Sequence, residues 1–91
     1  MAKTKVMIDN DITKVTKWVF EIDEETGEHT HEHDYVIVPL LDGELKIVDE
    51  SRCASVSKLA KGESYFRKKG VTHNVKNNNK FQYSFVEIEI K

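Results

Sequence analysis

The chain has little cysteine, little proline and no long apolar run, and each absence excludes a class of protein. Among its 91 residues there is one cysteine, Cys53, which excludes an internal disulfide bond. No segment approaches the roughly 18 consecutive apolar residues that a membrane-spanning helix requires. The start of the chain also lacks the apolar stretch of a signal peptide. We therefore expect a soluble, cytoplasmic protein.

An excess of charge of one sign is missing as well. The chain carries 14 basic and 16 acidic residues, a formal net charge of −2, and the two kinds are interspersed. This balance provides neither the basic field that attracts nucleic acid nor a polybasic patch for a membrane surface. We expect a small-molecule ligand and no nucleic-acid or membrane partner. The length predicts a single domain over residues 1–91, with residues 1–10 as a flexible N-terminal arm.

The hydrophobic pattern predicts strands and no helix. No window of helical length keeps apolar residues at a spacing of three and four, whereas several short segments alternate between apolar and polar residues. Residues 12–22 form one such segment, in which Trp18 and Phe20 share a face, and residues 54–59 form another. Eight or nine short strands separated by turns indicate an all-β sandwich or barrel.

Two local features of these strands lead to further expectations. Asp42-Gly43 is a strong hairpin signal, because an Asp-Gly pair tolerates the positive φ angles of a tight turn. It predicts that residues 35–41 pair with residues 44–48. In the last strand the apolar residues change parity after Phe85, which predicts a β-bulge there. Glu87 and Glu89 then lie on a solvated outer face.

A histidine-rich stretch, Gly27-Glu28-His29-Thr30-His31-Glu32-His33-Asp34-Tyr35, contains three of the four histidines. In an extended strand His29, His31 and His33 point to one face, because successive side chains alternate. Neutral imidazoles bind iron, copper, nickel or zinc, and carboxylates extend the choice toward manganese. The alternative interpretation is a solvated polar turn, so residues elsewhere in the chain must decide.

The partner residues lie near the other end of the chain, where the sequence resembles the cupin superfamily. The second cupin motif consists of glycine, five residues, proline, one residue, glycine, two residues, histidine, three residues and asparagine. Gly62, Gly70, His73 and Asn77 all occur in this register. Lys68 occupies the proline position, which removes a rigid constraint from the loop before the histidine.

The first cupin motif is H-x-H followed by glutamate and then glycine. His29 and His31 match the histidines, Asp34 stands near the glutamate position, and Gly43 closes the motif after a slightly longer interval. The resemblance covers residues 18–90. It is closest to stand-alone small cupins of the conserved-barrel type, some of which are named for degradation of β-alanine or related amino acids.

This resemblance implies a small jelly-roll barrel with one site in its interior. The family's metal ligands fall on His29, His31, Asp34 and His73. Strict alternation places Asp34 on the face opposite His31, so it reaches the site only through a bulge. His33 is a competing ligand, and we interpret it as a solvent-facing residue at the barrel mouth. The resemblance implies a divalent metal, iron first, with manganese, nickel and zinc as alternatives.

Three further residues are candidates for a substrate pocket. Tyr35 and Tyr65 can line it or belong to the core, and Arg67 can bind a carboxylate or remain solvated. The family implies a metal-dependent protein, with an iron-dependent oxygenase acting on a small organic acid or amino-acid derivative as the first hypothesis. The alternative is a non-catalytic ligand-binding or sensing module. Small cupins commonly pair, so we expect a homodimer.

Overall fold

The computed structural model describes residues 1–91 as nine strands in two sheets. It contains no helix long and apolar enough to cross a membrane. All strand pairs are antiparallel. The strands are β1 (Lys3–Asp9), β2 (Thr13–Phe20), β3 (His29–Thr30), β4 (Asp34–Pro39), β5 (Gly43–Asp49), β6 (Ala54–Leu59), β7 (Tyr65–Arg67), β8 (Thr72–Asn77) and β9 (Tyr83–Ile90).

The two sheets enclose one hydrophobic core. The five-stranded sheet has the order β1-β2-β9-β4-β7, and the four-stranded sheet has the order β3-β8-β5-β6. One strand of each sheet, β4 and β8, alternates buried and partly buried residues, as expected when one face of a strand lies against a core. The buried core residues are Phe20, Tyr35, Ile37, Leu45, Val75, Tyr83 and Phe85. The predicted all-β, double-sheeted fold is confirmed.

The expected hairpin at Asp42-Gly43 is wrong. The strands on either side of it, β4 and β5, lie in different sheets, so residues 40–42 carry the chain across the barrel instead of reversing it. Gly43 is required for a different reason: a Cβ atom there would lie 2.6 Å from Cε1 of the buried Tyr83. The glycine therefore provides space for a core tyrosine.

The bulge predicted near Phe85 is also absent. Strand β9 keeps continuous register with β2 from Tyr83 to Ile90 and with β4 from Phe85 to Ile90. Phe85 and Glu87 consequently share the inner face, while Ile88 lies on the outer face. The sequence pattern changes parity after Phe85 because this regular strand carries apolar residues on both of its faces.

The N-terminal segment differs from the flexible arm that the sequence indicates. Lys3–Asp9 pairs with β2 as the edge strand of the five-stranded sheet, with one irregularity between Val6 and Ile8. All seven of its residues are exposed. The segment therefore extends the sheet while contributing little to the core.

Candidate metal centre

Three histidines meet at one end of the barrel because β3 pairs with β8. His29 and His73 are directly opposite each other in this pairing. His31 follows β3, and its backbone N–H donates to the carbonyl of Val71 at 2.9 Å, while its own carbonyl accepts from Gly70 at 2.8 Å. These backbone bonds extend the pairing past the two-residue strand and place the third imidazole beside the other two.

The Nε2 atoms of the three rings converge. His31 Nε2 lies 3.1 Å from His29 Nε2 and 3.0 Å from His73 Nε2. The three rings stand edge to face, with centroids 4.7 to 4.9 Å apart. One nitrogen from each ring thus lies within 4.8 Å of the other two. Such a group could hold a metal ion.

These separations fit a single ion. Nitrogen ligands at about 2.1 Å from a metal and at right angles to each other lie about 3.0 Å apart. Two of the three separations match that value. An all-imidazole set of three suits iron, nickel, copper or zinc and leaves positions open for other ligands.

Hydrogen bonds fix the tautomer of His29. Its Nδ1 donates to the carbonyl of Gly27 at 2.8 Å, so the lone pair of Nε2 faces the centre. The Gly27 amide in turn donates to Asn74 Oδ1 at 3.0 Å. Gly27 has a φ angle of +84°, which favours glycine and lets the turn present its carbonyl to the ring. An outer ring of partners therefore orients this imidazole.

Burial keeps the other two imidazoles neutral. His31 and His73 are each 8% exposed. Burial, with smaller contributions from neighbouring imidazoles, lowers the pKa of each to about 4. Tyr35 stacks on the His31 ring with a centroid separation of 3.8 Å. Neutral, oriented imidazole is the form that binds metal.

Glu87 lies on the inner face of β9, whereas its sequence pattern predicted the solvated outer face. This residue is 7% exposed, and its Oε2 lies 3.8 Å from His31 Nδ1. Burial, reinforced by Glu89, raises the pKa of its carboxyl to about 7, and the nearby Trp18 indole opposes that rise. The Trp18 Nε1 atom is itself buried without a hydrogen-bond partner. The strict alternation of Tyr83, Phe85 and Glu87 was the available signal.

A cavity of about 310 Å³ adjoins the histidines. Nine of its sixteen lining residues are hydrophobic, and the predicted pocket residues Tyr35, Tyr65 and Arg67 all line it. Arg67 lies 4.6 Å above the Tyr65 ring. A second, more polar cavity of about 490 Å³ touches His29 and His31 from the other side. His29 and His31 therefore line both cavities, whereas His73 lines only the apolar one.

The remaining two candidate ligands lie outside the histidine group. Asp34 precedes the inward-facing Tyr35 and therefore points away from the barrel interior, where its Oδ1 accepts a hydrogen bond from the backbone of Lys69 at 2.9 Å. No bulge brings it inward, since β4 keeps regular register with β9. His33 is partly exposed and lines the polar cavity beside Glu32. The structure brings together only His29, His31 and His73.

Comparisons with known proteins agree with this architecture. No family model matches the chain. A curated relative from Pseudomonas aeruginosa, named "Beta-alanine degradation protein BauB", is 46% identical over 86 residues, which are 94% of this chain and 90% of the relative. A crystal structure of a cupin domain from Bordetella pertussis is 46% identical, with a TM-score of 0.95 over 99% of this chain and 93% of that one.

A more distant structure indicates the fold alone. An RmlC-like cupin from Methanocaldococcus jannaschii, described as a double-stranded β-helix, shares 13% identity. Its TM-score is 0.81 over 99% of this chain and 80% of that one. The two-sheet architecture is thus kept where most of the sequence differs.

Proposed function

This chain belongs to the cupin superfamily, and from that premise we propose that it is a metalloprotein acting on a small organic acid or amino-acid derivative. A single divalent ion, iron first with manganese, nickel or zinc as alternatives, is held by His29, His31 and His73. The observation that carries this proposal is the convergence of three imidazole Nε2 atoms, with His31 Nε2 at 3.1 Å from that of His29 and at 3.0 Å from that of His73. Asp34 has no part in this ligand set.

Other residues of the chain orient the three histidines or enclose the ion. The Gly27 carbonyl orients His29. Tyr35 holds the His31 ring by stacking, and Glu87 stands on its Nδ1 side. The apolar walls of the cavity exclude water and strengthen electrostatic contacts inside it. The bound ion would supply Lewis-acid or oxygen-activating chemistry.

The size of the cavity supports a small substrate. A volume of about 310 Å³ lies at the lower end of the range for ligand pockets. The name of the Pseudomonas relative adds β-alanine and its degradation products to the compounds worth testing. We therefore propose three- and four-carbon acids and amino acids as the first trial substrates.

An oxygen-consumption assay tests the catalytic proposal. Untagged protein is loaded with iron(II) without oxygen, and oxygen uptake is then followed with each acid and amino acid. We expect oxygen uptake that requires both the metal and one of the substrates. This uptake should persist in His33→Ala and be lost in His73→Ala. Stoichiometric metal and saturable ligand binding without uptake would instead favour the non-catalytic module. Uptake unaffected by His73→Ala would contradict the proposed centre.

We also propose that two copies pair through the outer face of the five-stranded sheet. A straight row of apolar residues crosses all five strands there: Ile8, Val15, Ile88, Val36 and Phe66. The five strands lie about 4.8 Å apart, and the rows of outward-facing residues on either side of this one lie about 7 Å away. The face therefore measures roughly 500 Å², which approaches one side of a standard interface. A second copy offers the same row, and a formal charge of −2 repels it little.

Light scattering after gel filtration tests this pairing. The parent should elute at twice its chain mass of 10.5 kDa. Ile88→Glu should produce the monomer, while Val56→Glu, at an exposed position of the other sheet, should leave the dimer intact. A monomeric parent, or a dimer insensitive to Ile88→Glu, would remove the proposal.

A further inference from the structure

The cavity beside the histidines contains one basic and one acidic side chain. Among its lining residues, apart from the imidazoles, these are Arg67 and Glu87. Glu87 is 7% exposed, lies beside the Trp18 indole, and has His31 Nδ1 at 3.8 Å from its Oε2. Ionising a carboxyl group that is buried among apolar walls is costly unless a positive charge is bound beside it.

The two charges stand on opposite sides of β4. Arg67 on β7 is paired with Tyr35, and Glu87 on β9 is paired with Ile37. Two strand spacings and two residues separate them, so their Cα atoms are about 12 Å apart. Both side chains extend from the inner face, which leaves a gap suited to a short molecule with a charge at each end.

We infer that the ligand of this cavity is a short zwitterionic amino acid, with its ammonium group bound by Glu87 and its carboxylate directed toward Arg67. The inference rests on the proposed function, because it selects amino acids over simple acids as ligands of the same site. A simple carboxylate would add a second negative charge to an apolar chamber and leave Glu87 unpaired. An ammonium group beside Glu87 would supply a positive charge and charge-assisted hydrogen bonds.

Binding of matched pairs of ligands tests this inference. We would titrate the full chain calorimetrically, with and without iron(II), using glycine against acetate, β-alanine against propionate, and 4-aminobutyrate against butyrate. The members of each pair differ only in the amino group. We expect at least one amino acid to bind about tenfold more tightly than its partner, as for a buried charge pair.

Three variants assign the preference to side chains. Glu87→Gln keeps the shape but removes the carboxyl group and should erase the preference. Glu89→Gln, on the same strand but outside this cavity, removes a charge that raises the pKa of Glu87 and should keep or increase the preference. Arg67→Gln should weaken both members of a pair by a similar factor. Equal binding of acids and amino acids by the parent would overturn the inference. So would a preference that survives Glu87→Gln or is lost in Glu89→Gln, or no binding tighter than about 10 mM.

Metal analysis of the same samples separates this inference from the proposed function. A metal-free protein that still prefers amino acids through Glu87 would contradict the metal centre and support the ligand class. A protein that is fully loaded with metal but does not prefer amino acids would support the metal centre and contradict the ligand class. Both results are read from binding and metal content, without an activity assay.

Discussion

Replacing Asn77 with alanine should destabilise the barrel strongly, because this side chain links three segments of the chain. It is 1% exposed, and its Nδ2 donates to the carbonyls of Phe20 at 3.3 Å, Glu21 at 3.1 Å and Phe81 at 2.9 Å. Its Oδ1 accepts from the backbone and side-chain nitrogens of Asn79, at 2.9 and 2.8 Å. Truncation removes the Asn77 side chain as a partner of each of these groups, and Asn79 Nδ2 keeps a second hydrogen bond, to the carbonyl of Glu44 at 2.8 Å.

The magnitude follows from the number of bonds. A net hydrogen bond contributes about 1 kcal/mol, and a buried group left unpaired costs about 1 to 3 kcal/mol. With four hydrogen bonds of 3.1 Å or less, we expect Asn77→Ala to lower the free energy of unfolding by about 3 to 5 kcal/mol. A chain of this size is stable by only about 5 to 14 kcal/mol.

Urea unfolding followed by the fluorescence of Trp18, the one tryptophan, measures this loss. Asn78→Ala is the control, since the neighbouring Asn78 is exposed and its side chain makes no hydrogen bond, and it should change stability by less than about 0.5 kcal/mol. Asn77→Asp should be at least as damaging as Asn77→Ala, because it places carboxylate oxygen against carbonyl oxygens. A loss below about 1 kcal/mol in Asn77→Ala, with an unchanged denaturant slope, would refute the reasoning.

Two other predictions concern packing and pH. Gly43→Ala should lower the free energy of unfolding by about 1 to 3 kcal/mol, because the added Cβ would overlap Tyr83. Each kcal/mol should lower the melting temperature by about 4 to 8 °C. Thermal unfolding followed by circular dichroism measures this change, and an unchanged melting temperature would contradict the prediction. The pKa values of His31 and His73, lowered to about 4 by burial, mean that the metal-free protein loses stability as pH falls from about 6.5 toward 4. The pKa of Glu87, raised to about 7 by burial, opposes this trend, so Glu87→Gln should make the loss steeper; a flat pH profile in both proteins would contradict the assignment.

Much of the strand pattern was predictable from local signals. Residues 54–59 were predicted as a strand and form β6 with those bounds. The segment around Trp18 and Phe20 forms β2, with both side chains toward the barrel interior. The alternation of apolar and polar residues along one strand does not depend on which strand pairs with it. Such strands can therefore be predicted from the local sequence alone.

The predictions were wrong where the structure of a segment depends on the sheet that it joins. Asp42-Gly43 has the composition of a tight turn, yet the flanking strands pair with β9 and β8 in different sheets. Turn propensity describes four residues and contains no information about which sheet each strand joins. The close approach of Tyr83 to Gly43 likewise depends on residues 40 positions apart in sequence.

Glu87 and Asp34 show the same limit at the candidate site. In β9 both faces carry apolar residues, so the apolar pattern after Phe85 favoured a bulge over the strict alternation that places Glu87 inward. For Asp34 the motif spacing indicated a ligand, while strict alternation beside Tyr35 excluded it, and the structure follows the alternation. The grouping of His29, His31 and His73 was expected from the two motifs, and the geometry brings these three together.

The most direct test of the account is the metal content of untagged protein, measured by elemental analysis after anaerobic loading and exhaustive dialysis. The parent and His33→Ala should each retain about one divalent ion per chain, whereas His31→Ala and His73→Ala should retain almost none, because each loses one of three converging ligands. A metal-free parent, or a His73→Ala variant that retains as much metal as the parent, would contradict a metal centre at the three histidines.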